Sequence, residues 1–177
     1  MTLWLKLLVN VDSSFRTRFV LSAKDILRGA LIYASGDTVA SLILQEFLWS
    51  RLIGMMVIGA TVYAFEIPNY FRWIDSRVQP LKGFKHSLAK MGLAILYFNP
   101  LWIARHLFFI LLFSGQFHAV SWDILRIASW SFLVNIPLSL IANYLIQNRI
   151  NLKYRFMASA VFSALMAVWY AVSKALF

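Results

Sequence analysis

Apolar residues run for about twenty positions at a time along this chain, and the polar residues between those runs gather into short stretches. A helix of about 20 residues crosses roughly 30 Å of hydrocarbon. Five runs meet that length, at 26–48, 52–71, 91–114, 124–146 and 156–175. Ahead of them, Trp4, Leu7, Leu8, Val11 and Phe15 recur at helical spacing, which predicts a short interfacial amphipathic segment over 1–25. The apolar start carries Lys6 and is followed by polar residues without a small-residue cleavage site, so no cleaved signal peptide is expected. Short connections, no repeat and no Gly/Ser-rich or Pro-rich linker make 26–177 one transmembrane domain. The predicted fold is all-α: a polytopic bundle of five transmembrane helices.

Composition strengthens that reading. Of 177 residues, 61% are hydrophobic and 14% charged, well short of the roughly 25% charged residues of a soluble domain. A formal charge of +10 raises nucleic acid as a partner, but the positions of the cations exclude it. If the five spans alternate sides, thirteen of the seventeen Lys and Arg residues fall on one side, in 6–28, 72–90 and 149–155. Arg51, Arg126 and Lys174 fall on the other, and Arg105 lies within a span. The charge therefore encodes topology, with the N-terminus on the cytosolic or matrix-equivalent side. Merging the last two spans would bury Arg149, Lys153 and Arg155 among lipid tails, so five spans fit better than four.

Polar residues inside the spans supply the candidate chemistry. Tyr33, Asp37, Ser41 and Gln45 are spaced by four and share a face of the first span. Asn135, Ser139, Asn143 and Gln147 repeat that spacing on the fourth, beside Pro137. Two such faces either line a hydrated path or hydrogen-bond between helices. A mid-span carboxylate needs a partner, and a count of helical rise puts Asp37 and Arg105 within about 5 Å in depth. That count predicts an Asp37–Arg105 pair, as a structural bridge or as a gate. His106 follows Arg105, and Glu66 on the second span is expected to pair with a loop cation such as Arg72.

No Cys occurs, which excludes disulfides and thiolate chemistry. The three His residues are dispersed, and neither His106 nor His118 has a ligand one turn on, so no metal site is expected. No catalytic motif and no cofactor motif is found, and the chain is expected not to be an enzyme. Small residues Ser159, Ser163, Ala167 and Ala171, and likewise Ala30, Ala34 and Thr38, predict close helix seams.

The order of motifs resembles the peroxisomal-membrane-protein/Mpv-type family of small peroxisomal and mitochondrial inner-membrane proteins. The residues carrying the resemblance are Gly36 and Asp37 in YASGDTVAS, Arg51 and Gly59 in RLIGMMVIGA, Tyr70, and Lys90 and Pro100 in KMGLAILYFNP. Pro137, Asn143 and Tyr144 in PLSLIANY, Arg155 closing INLKYR, and Trp169 continue it. The chain departs from the family pattern where Ile67 replaces a His, Ala94 and Ile95 replace an Asp-Gln pair, and Asn151 replaces a Pro. The resemblance implies a small pore or solute-permeation protein of an organelle membrane. A bacterial inner membrane is the alternative location.

The expected function is thus a small channel or carrier whose polar path uses Tyr33, Asp37, Ser41, Gln45, Glu66, Arg105, His106, Asn135, Ser139 and Asn143. The alternative is a structural or assembly subunit of a larger membrane complex. The expected partners are the lipid bilayer, with anionic lipids or anionic solutes drawn to the basic loops, and either further copies of the chain or such a complex.

Overall fold

The computed structural model describes residues 19–176, with side chains through residue 169. Of the expected interfacial segment over 1–25, residues 1–18 lie outside that range, 19–22 are non-helical, and 23–25 belong to the first helix. The described chain is helical throughout. Helix α1 spans Ala23–Ile43 and α2 spans Trp49–Val78. Helices α3 (Gly83–Tyr97) and α4 (Pro100–Phe113) form one broken rod, followed by a single turn at Phe117–Ala119, α5 (Asp123–Arg149) and α6 (Leu152–Leu176). Among the described residues, four segments are long and apolar enough to cross a membrane: Ala23–Ile43, Trp49–Val78, Gly83–Phe113 and Asp123–Arg149. The fifth expected span, 156–175, falls within α6, which is not among these four.

The element boundaries have local causes. The first span stops at Ile43, short of the expected 48, because Gln45 takes a positive φ of 57° that no helix continues through. Helix α2 starts at Trp49 and so takes in Arg51, which hydropathy leaves in a loop. Within it, a π-helical turn at Gly59–Tyr63 precedes Pro68, which supplies no backbone N–H to the ladder. The third segment breaks at Phe98 (ψ 44°), and Asn99 restarts it. The Asn99 side-chain oxygen accepts from the backbone N–H groups of Leu101 (2.8 Å) and Trp102 (3.2 Å), with Pro100 at the first helical position.

Helix α1 sits at the centre, and its most extensive contact is with α6. Two close approaches make this possible. The backbones of Gly29 and Gly59 meet so tightly that a Cβ on either would collide with the other's carbonyl oxygen. One on Gly36 would collide with Ala164 of α6. Small residues thus bring backbones together, the arrangement by which helices pack in lipid without a hydrophobic driving force.

The main core lies among α1, α2, α3 and α6, with Tyr63, Ile67, Phe71, Ile74, Val78 and Ala160 fully buried. A smaller cluster of Ala104, Ile124 and Ala128 joins α4 to α5. Helix α5 is carried mainly by α3 and α4. The space left between α5 and the α1–α6 pair becomes the site.

Candidate functional site

A cavity of about 700 Å³ fills that space, with walls from α1, α2, α4, α5 and α6. Its lining follows α5 from Asp123 to Ile146, a rise of about 35 Å at ~1.5 Å per residue. Gln116, Ala119 and Glu46 border it at the end where α1 meets α2 and α4 meets α5, and Phe98 and Ile146 border it toward the opposite end. Most of the wall is aliphatic or aromatic, interrupted by a few polar side chains.

The geometry begins with Asp37. Its carboxylate is gripped by Arg51, Nε to Oδ2 at 2.8 Å and Nη2 to Oδ1 at 2.7 Å, and both residues border the cavity. This corrects the expected Asp37–Arg105 pair. Asp37 lies near the end of α1 and Arg51 in the first turn of α2, so the hairpin brings them to one level.

Arg105 reaches the other way. Its guanidinium donates to Glu66 at 2.9 Å (Nη1 to Oε1) and 2.6 Å (Nη2 to Oε2), and it lies 5.7 Å over the Tyr63 ring. Tyr97 adds a hydroxyl donor to Glu66 Oε2 at 2.8 Å. Glu66 therefore pairs with Arg105 rather than Arg72, whose Nη1 donates to Asn69 Oδ1 at 2.9 Å. Neither Glu66 nor Arg105 lines the cavity. Consecutive helical residues point about 100° apart, so only one of Arg105 and His106 faces it. His106 does, held by a 2.9 Å hydrogen bond between its Nδ1 and the Tyr63 hydroxyl and stacked on Trp102 at 5.6 Å between centroids.

On the first polar stripe, only Asp37 faces the cavity. Tyr33 packs in the core with its ring 4.6 Å from that of Tyr63. Ser41 is buried and donates to the Thr38 carbonyl of its own helix at 2.9 Å. Gln45 lies in the turn beyond α1. The second stripe fares differently: Asn135, Ser139 and Asn143 all line the cavity, joined by Ser131 one turn earlier. The amides of Asn135 and Asn143 each donate to the carbonyl four residues back, at 2.7 and 2.9 Å, which fixes their orientation. Gln147, the last of the stripe, is fully buried and off the cavity.

Hydropathy reading missed three features. Ser159, Ser163 and Ala167, expected as a packing seam, line the cavity instead, while the adjoining Ala160 and Ala164 do the packing. Their fourfold spacing was the available signal. Hydropathy leaves Arg51 in a loop, although Asp37 and Arg51 are equidistant in sequence from Leu44, a spacing that a helical hairpin brings together. At the basic end, Asp75 accepts from Lys90 Nζ at 2.6 Å and from Arg155 Nη1 at 2.8 Å, tying α2 to α3 and α6.

Compared with known protein families, curated proteins and solved structures, the chain matches none.

Proposed function

We propose that the chain is a five-span membrane protein that passes small solutes along the cavity between α5 and the α1–α6 pair, as a channel or carrier. One observation carries this reading: polar side chains far apart in sequence, Asp37, Arg51, His106, Asn143 and Ser163, converge from five helices on one cavity. Asp37 and Arg51 close on each other, but a bundle needing only hydrogen-bonded glue would leave no space between that pair and the polar residues of α5 and α6. The four segments able to span a membrane, with α6 as a fifth, leave the basic residues of the α2–α3 and α5–α6 turns on one face. That face is the cytosolic or matrix-equivalent one. The resemblance to the peroxisomal-membrane-protein/Mpv-type family points to the same class of function.

The test is purified protein in liposomes. Solute flux or conductance above empty vesicles is the expected result. None across a range of pH and voltage, together with stoichiometric recovery in a larger membrane complex, would replace this reading with that of an assembly subunit.

A further inference from the structure

Resting on the reading of the cavity as a solute path, we infer that its cargo is uncharged: a small polyhydroxy or amide-bearing molecule. The charged groups on the wall are already answered from within the protein. Asp37 is held bidentately by Arg51, Arg51 lies 4.0 Å from Glu46, and Asp123 at the outer rim pairs with Arg126 at 3.0 Å. Beyond them and His106, which is bonded to the Tyr63 hydroxyl, the polar positions are serine, asparagine and Gln116. Ser131, Asn135, Ser139 and Asn143 run along α5 at one-turn intervals, and Ser159 and Ser163 answer from α6.

The rest of the wall is largely apolar, with Leu107, Ile110 and Leu111 on α4 among its members. An ion entering this space would shed water without meeting a free counter-charge, the costliest form of burial. A hydroxyl or carboxamide instead exchanges its water hydrogen bonds for serine and asparagine ones at little net cost. The basic end does not alter this balance. Lys90 and Arg155 are drawn to Asp75 rather than to the cavity, and of the described Lys and Arg residues only Arg51 lines it, already paired with Asp37.

The experiment compares two readouts on the same proteoliposome preparation: stopped-flow osmotic swelling with erythritol, sorbitol and urea, and conductance in KCl after fusion to a planar bilayer. Swelling well above empty vesicles with little KCl conductance is expected. The double variant Asn135→Leu with Ser139→Ala should reduce the swelling rate roughly tenfold through loss of two wall hydrogen-bonding groups. Ser163→Ala on the facing helix should reduce it by roughly threefold, a check that does not depend on α5 folding normally. Ser139→Asp should open a cation conductance. KCl conductance as large as the uncharged flux, or swelling unaltered in both wall variants, overturns the inference while leaving a solute path in place. Passage of neither ions nor uncharged solutes overturns the path itself, and the inference with it.

Discussion

Arg51 and Asp37 form a two-point ion pair across the α1–α2 hairpin, with side chains only 8% and 4% exposed. It joins the two helices where the cavity borders both. Because the guanidinium and the carboxylate each satisfy the other's geometry, the pair fixes the level of α2 relative to α1.

Removing one member leaves the other charge buried without its partner. Arg51→Met or Asp37→Leu is therefore expected to destabilise the protein by on the order of 3 kcal/mol, read as a fall in thermal unfolding midpoint in mild detergent. The double variant should cost less than the sum of the two singles, since it strands no charge. Strict additivity would show that the pair contributes no coupling.

Asp75 presents a different arithmetic, one carboxylate serving two cations on two helices. Asp75→Asn should cost more than Lys90→Met, because the first leaves an ammonium and a guanidinium facing each other without their carboxylate and the second keeps the Asp75–Arg155 contact. A difference of about 1 to 2 kcal/mol in unfolding free energy is expected between them. Equal losses would place the two cations in independent roles.

How much of this was legible in the sequence depends on how local each cause is. The long apolar helices were legible because each apolar run is local, although their bounds shift and four among the described residues, not five, are long and apolar enough to cross a membrane. The polar face of α5 was legible too, since Asn135, Ser139 and Asn143 share one unbroken helix and helical spacing alone decides their common direction. Ion pairing was not. Counting depth from the start of each span assumes straight rods beginning in one plane, whereas α1 ends early at Gln45 and the third segment breaks at Phe98. Those two departures move Asp37 toward Arg51 and turn Arg105 toward Glu66. Likewise, a stripe of small residues on α6 does not reveal which members meet a helix and which border a void. The position of α5 decides that.

Glycine positions separate by what lies opposite them. Gly29→Ala should destabilise by about 2 kcal/mol or more, because the obstacle is the Gly59 backbone carbonyl, which has no rotamer to adopt. Gly54→Ala meets the Phe113 ring at its root, so the whole ring must turn about χ1; a smaller loss than at Gly29 is expected because a side chain and not a backbone has to move. Gly115 has φ +70° with nothing within 4 Å, and Gly115→Asn should cost less than about 1 kcal/mol, since Asn tolerates that conformation. Unfolding midpoints of the three variants, measured together, check this ranking. A Gly115→Asn loss equal to that of Gly29→Ala would remove the close α1–α2 approach as the cause.

Sidedness gives the last prediction, and the absence of Cys makes it direct to measure. With an impermeant maleimide on sealed vesicles, Lys82→Cys between α2 and α3 and Asn151→Cys between α5 and α6 should react from the same side. Gln116→Cys, in the connection after α4, should react only from the other. A Cys appended at the C-terminus decides the count of spans. Labelling with Gln116→Cys means that α6 crosses as the fifth, whereas labelling with Asn151→Cys means four crossings with α6 returning to the basic face. The five-span outcome is expected because α6 runs beside α1, with Phe156 near Gly29 and Ala164 against Gly36.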